Sequence, residues 1–377
     1  MKWLVVGSPH SASTRDVWIG QMKGLALNGQ SVQSFDVFPL GEFYSTIVEY
    51  VRERKIPIAN LKTIPSPMTL AYSNVFMAAH HHEVDGVWFV SPQYLPVEIP
   101  DLLRKDGFKT VAAMSECPYE DQIDASQKAA SFDTVFVNDL NSVEYWRPFN
   151  PNTHYLPHSY DPDKHFPSWD RPKNRRFANW QPPDNGHDHV VYMGSGFSAR
   201  QKYLEAIDWD GIDLRIYGHW PLLRPFEGEG PWESALGSVA PEKESPLIPF
   251  VVEKMVENTF TARIYRGAAI GINLHRTERW SNNAAMVVDQ GEAYSMGPRG
   301  VELAACGCFQ ISDERQEIRD VFGDSVPVAS GPEHMGQLIR QYLAEPVKRR
   351  ELAVRQREAI KGRTFENNLR RALELAA

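Results

Sequence analysis

Gly297-Pro298-Arg299-Gly300-Val301-Glu302-Leu303-Ala304-Ala305-Cys306-Gly307-Cys308-Phe309-Gln310-Ile311-Ser312-Asp313 decides the fold, because these residues spell a turn, a short helix and an apolar strand. Pro298 suits a first helical position. The amides following Gly297 and Gly300 lack partners within a helix start, so they can meet an anion or a sugar hydroxyl. Gly307 fits a left-handed helix end, after which 308–311 reads as a buried parallel strand. The spacing predicts Glu302 in the first turn, where the helix dipole favours a carboxylate and two hydroxyls can donate to it. Stabilisation of its own helix accounts for Glu302 equally well.

The same alternation extends outward in both directions. Upstream, strands are expected over 3–6, 31–38, 87–90, 110–114 and 134–137, with helices over 14–27, 42–54, 69–82, 97–105 and 142–147. A proline-rich aromatic stretch, 157–185, has no period and reads as a connection. Its basic cluster, Arg171, Lys173, Arg175 and Arg176, is a solvated face or a contact for an anionic acceptor. The alternation restarts with strands over 190–193, 214–217 and 269–274, interrupted by an insertion at 220–249. Helices are expected over 199–207, 253–266, 332–343, 346–360 and 365–375, and a last strand over 326–328. This is an α/β pattern of two Rossmann-like domains facing each other across a cleft, spanning 1–165 and 166–362, with a terminal helix in 363–377. Ligands of such sheets bind beyond the carboxyl ends of the strands.

Bulk properties narrow the function. The 377 residues suffice for two cores, and 40 basic against 48 acidic residues give a formal charge of −8, with no global sign of a nucleic-acid or anionic-membrane partner. Three cysteines, Cys117, Cys306 and Cys308, form no disulfide framework and suit a cytoplasmic protein. No segment approaches a membrane span, and the apolar run after Lys2 is too short for a signal peptide.

The run from Arg299 to Gly307, with Cys308 to Asp313 behind it, resembles the donor-site signature of GT-B glycosyltransferases, most closely the CgeB-like (spore maturation protein) branch. The resemblance extends to about Phe365 and weakly covers the N-terminal half. It implies that Glu302 holds the ribose of a nucleotide-sugar, UDP-sugar first, and that Arg299 lies near the diphosphate. The first domain would then take the acceptor, the second the donor, and the terminal helix would cross back to the first domain. No metal or other cofactor is expected. Many retaining GT-B enzymes carry a second glutamate eight residues before the ribose-binding one; here Tyr294 stands there, and Glu292 or the amides of 291–297 are the available substitutes.

Further candidates follow from position. Gly194-Ser195-Gly196 lies between a strand and a helix, where glycines admit a phosphate and Arg200 and Lys202 can neutralise it. His275 and Arg276 end a strand, so alternation turns one of them outward. His10, after the first strand, is either a general base or a loop cap. Glu116 orients His10, acts as base or binds acceptor, and Tyr119 and Asp121 complete an acceptor-side segment resembling that of CgeB-like proteins. His80-His81-His82 cannot converge on one metal from a helix, and Asp208-Trp209-Asp210 reads as an ordinary loop. The acceptor is a glycan, a metabolite or a hydroxymethylated base of phage-type DNA. A binding or structural protein of a coat or envelope, keeping the GT-B fold without turnover, is the alternative.

Overall fold

The computed structural model describes residues 1–7, 14–54, 66–92, 94–119, 125–169, 189–218, 220, 245–252, 256, 258–277 and 291–376. The chain divides into two compact units. One is built mainly on Met1–Pro157 and Phe365–Ala377, the other on His158–Ala284 and Tyr294–Thr364.

The first unit runs β1 (Lys2–Val6), α1 (Arg15–Leu27), β2 (Ser31–Phe35), α2 (Val37–Glu53), α3 (Pro67–His81), β3 (Gly86–Val90), α4 (Glu98–Lys105), β4 (Lys109–Ala113), α5 (Ala125–Ala130), β5 (Thr134–Val137), α6 (Leu140–Trp146) and β6 (Thr153–Tyr155). All pairings are parallel, in the order β2-β1-β3-β4-β5-β6. The two-residue period of β1 explains the layering: Leu4 and Val6 enter one apolar cluster while Trp3 and Val5 enter another. Two expected elements shift. β2 ends at Phe35 instead of 38 and α2 begins at Val37 instead of 42, because the Asp36 carboxylate accepts the Phe38 amide at 3.1 Å and so caps the helix early. Strand β6 was not expected; Asn150 and Asn152 hold this short edge through their side chains, with Asn152 Nδ2 donating to Asp133 O at 2.8 Å.

The second unit runs β7 (Val190–Met193), α7 (Ser198–Glu205), β8 (Leu214–Tyr217), β9 (Val251–Val252), α8 (Asn258–Gly267), β10 (Ile270–Asn273), α9 (Gly297–Ala305), β11 (Phe309–Asp313), α10 (Gln316–Phe322), β12 (Val328–Ala329), α11 (Pro332–Ala344) and α12 (Pro346–Ala359). Its parallel sheet has the order β12-β11-β10-β7-β8-β9. The opening stretch thus forms α9 and β11, with Gly307 at φ +70° between them. Glu302 is the sixth residue of α9, so it sits in the second turn and not the first; the dipole argument for it does not apply. The last helix, α13 (Phe365–Leu375), belongs to the first unit and packs on α1, where an added Cβ on Gly20 would come within 2.2 Å of the Phe365 ring. Among the described residues no helix is long and apolar enough to cross a membrane.

Candidate functional site

In the second sheet β7 is followed by β8 on one side and flanked by β10 on the other, so the direction of winding reverses between β7 and β10. A crevice opens at the carboxyl ends of strands at such a point. Here the backbone is drawn close. Gly194 and Gly218 have φ of +154° and +126°, and a Cβ on Gly218 would lie 2.3 Å from Gly194 O. Trp220 Nε1 donates to Gly194 O at 2.9 Å, and its ring closes over Gly196.

Arg299 ties this point together. From the first turn of α9 its Nε donates to Met193 O at the end of β7, and its Nη1 donates to Leu274 O just beyond β10 at 3.0 Å. Its guanidinium carbon lies 4.8 Å from the centre of the Tyr192 ring. Arg200 and Arg276 share the Phe197 ring, at 5.2 and 5.0 Å. Arg200 Nη1 donates to Ser195 O at 3.3 Å, while its buried Nε has no hydrogen-bond partner among the described residues. Burial lowers the pKa of Arg200, and the charges of Arg299 and Arg276 push the same way. Three cations gathered around Gly194–Gly196 with a donor to spare make a site that an anion would stabilise. Lys202 does not join them; it is exposed on α7.

His275 and Arg276 diverge as strand alternation requires, Arg276 towards Phe197 and His275 inward. The His275 amide donates to Asp313 Oδ1 at 3.0 Å, its Nδ1 meets the same carboxylate, and its Nε2 lies 3.0 Å from Met296 O. Burial pushes the His275 pKa down, against the opposing pull of Asp313. His275 therefore joins β10, β11 and the start of α9. That start is also held from α10, an element the sequence reading missed. Buried Glu317 accepts the Met296 amide at 2.7 Å and pairs with Arg363 at 2.6 Å. The signal for α10 was present in Ile318, Val321 and Phe322 before Gly323. The Gly297 amide, expected to be open, donates to Ser295 Oγ at 3.2 Å.

Glu302 projects from α9 with 16% of its side chain exposed. Asn258 Nδ2 donates to its Oε1 at 3.4 Å, and His165 Nε2 contacts Asn258 Oδ1 at 3.2 Å. Neither neighbour stood out in the sequence. Tyr294, eight residues before Glu302, turns its hydroxyl to Asp320 at 2.8 Å. Glu292, itself part of the first unit, accepts at its carbonyl from Asn141 Nδ2 of the same unit at 2.8 Å.

In the first unit Glu116 and Tyr119 share one turn beyond β4, the Tyr119 amide donating to Glu116 O at 2.7 Å, and both are partly buried. His10 and Asp121 lie outside the described residues, as does the basic cluster at 171–176. Asp208 pairs with Arg340 at 2.9 Å and His80 with Asp106 at 2.6 Å. Among the described residues no three His, Cys, Asp or Glu side chains gather as a metal site.

Residues 200–374 match a family model described as glycosyl transferase-like. No curated protein matches the chain. Solved structures do. HepE from Anabaena in complex with UDP-glucose is 11% identical, with 99% of each chain covered and a TM-score of 0.56. An E. coli structure described as trehalose-6-phosphate bound with UDP-2-fluoro glucose is 10% identical, with 100% of this chain and 99% of that one covered and a TM-score of 0.57. An alpha-glucosyltransferase in complex with UDP and a 13-mer DNA containing a HMU base is 10% identical, with the same coverage and a TM-score of 0.58. The chain as a whole therefore has the GT-B fold, two parallel-sheet Rossmann-like α/β units, and the glycosyl transferase-like match covers most of its second unit and α13.

Proposed function

We propose that this protein is a glycosyltransferase of the CgeB-like kind, moving a sugar from a nucleotide-diphosphate sugar, UDP-sugar first, to a hydroxyl acceptor. The observation that carries this reading is the gathering of Arg200, Arg276 and Arg299 around Gly194–Gly196, one turn of α9 away from the partly buried carboxylate of Glu302. The three cations suit a diphosphate, and a carboxylate, which accepts hydrogen bonds on both oxygens, suits the hydroxyls of a ribose. The glycosyl transferase-like match over residues 200–374 and the UDP and UDP-glucose held by the structural neighbours support the choice of ligand.

Chemically, the leaving group is a nucleoside diphosphate on which negative charge grows as the glycosidic bond breaks. Arginines fixed beforehand by Met193 O, Leu274 O and the Phe197 ring meet that charge without reorganising, which is where electrostatic catalysis gains most. The same cations take the place a metal ion would have, so turnover is expected to persist in excess chelator; abolition by chelator and recovery with a divalent ion would contradict it. For the acceptor side, His10 and Glu116 are the proposed bases towards the hydroxyl, and Tyr119 and Asp121 the proposed acceptor-binding residues. The acceptor class is a glycan, a metabolite or a hydroxymethylated DNA base.

The test is thermal melting with a panel of nucleoside diphosphates and their sugars. UDP or a UDP-sugar is expected to raise the melting temperature, and Arg299→Ala and Glu302→Ala to abolish the rise; a rise retained in both variants would refute the site. A binding protein without turnover is the second reading, favoured by Tyr294 spending its hydroxyl on Asp320 where a second carboxylate would be expected. Tight UDP-sugar binding without transfer or hydrolysis would select it.

A further inference from the structure

Glu302 does not stand alone behind its exposed face, and the groups that hold it form a directed chain. A carboxylate only accepts hydrogen bonds, so the Asn258 atom that lies 3.4 Å from Glu302 Oε1 must be the amide nitrogen. The other end of that amide is then an oxygen, 3.2 Å from His165 Nε2, and only a protonated Nε2 can serve it. His165 is 2% exposed, and its buried Nδ1 has no hydrogen-bond partner among the described residues. A lone pair in that place costs less than an unsatisfied N–H, which fixes the tautomer with its hydrogen on Nε2. His165 Nε2 also lies 4.0 Å from Glu302 Oε1, so the ring backs the carboxylate as well as its amide neighbour.

We propose that His165 and Asn258 are positioning residues that set the direction of the Glu302 carboxylate, and thereby the protein's preference for a nucleotide with free ribose hydroxyls. The proposal rests on the donor-site reading of Glu302. Its geometric basis is independent of the arginines: His165 comes from the segment that opens the second unit, Asn258 from the first residue of α8, and Glu302 from α9. Three separated elements converge on one carboxylate.

The experiment measures calorimetric affinity for UDP and for 2′,3′-dideoxyuridine 5′-diphosphate in the wild type, Asn258→Ala, Asn258→Asp, Glu302→Ala and the Asn258→Ala/Glu302→Ala double variant. The wild type is expected to prefer UDP at least about tenfold, in keeping with two hydrogen bonds to a charged group. Asn258→Ala should lose most of that preference, and the double variant should lose no more than Glu302→Ala alone. Asn258→Asp keeps the shape but replaces the donor by an acceptor, so it too should lose the preference, with Nε2–H of His165 left bonded. A structural role alone would weaken both nucleotides equally and leave their ratio unmoved. If Glu302→Ala removes the preference while both Asn258 variants keep it, the positioning proposal is overturned and the donor site stands. If Glu302→Ala itself keeps the preference, the ribose assignment falls and the proposal with it.

Discussion

At the scale of single residues, the site is assembled by close approach. Gly218 can be nothing larger: its φ of +126° disfavours a side chain, and a Cβ would meet the carbonyl of Gly194, a backbone atom unable to swing away. Gly218→Ala is therefore expected to destabilise the protein by about 1–3 kcal/mol and to weaken UDP binding by displacing Gly194 and Trp220. Denaturant melts with a calorimetric titration check this; wild-type values for both would show that the loop has room. Arg200, Arg299 and Glu302 stood out as candidates in the sequence because each lies within a few positions of a glycine turn. His165 and Asn258 were not, since they stand 93 residues apart and are joined only by folding.

At the scale of elements, the start of α9 is held by α10 through Glu317, Arg363 and the Met296 amide. Beside this group lies His158, whose pKa burial pushes down to about 4, with Glu317 opposing and Arg363 adding to the shift. The unfolded chain binds this proton near pH 6.5, the folded chain only near 4. Between those values the unfolded state carries more protons, so the stability His158 gives is complete above about pH 6.5 and is lost as pH falls towards 4. The loss amounts to about 3 kcal/mol by linkage. His158→Gln should flatten the stability profile over that window; an unchanged acid limb would assign it to other groups. Element types were readable from the sequence wherever the period was long. The short pieces failed, because two residues of β9 or three of β6 hold too little pattern and depend on partners elsewhere.

At the scale of the whole molecule, each unit has its own sheet and core, and the chain end returns to the first. Leu369 of α13 is fully buried with Trp3, Trp18 and Trp88. Leu369→Ala is expected to cost about 2–5 kcal/mol while leaving the UDP affinity of the folded protein unchanged, because the candidate site draws its residues from the second unit. Calorimetry below the melting temperature separates the two effects, and a parallel fall in affinity would contradict it. The repeated strand and helix alternation, read twice along the chain, was enough to expect two Rossmann-like domains. Strand order was not readable, since it depends on which strands pair across long connections.

The sequence by itself determined the α/β class, the two-part organisation and the local phosphate-suited and hydroxyl-suited motifs, because period, glycine turns and helix starts are properties of neighbouring residues. Only the tertiary structure decided that Arg299 bridges the ends of β7 and β10, that His275 turns inward to Asp313 while Arg276 turns outward, and that Glu302 lies in the second turn against Asn258. Those outcomes depend on which strands lie side by side at the point where the winding reverses. That order is set by burying two sheet faces at once, and no stretch of neighbouring residues encodes it.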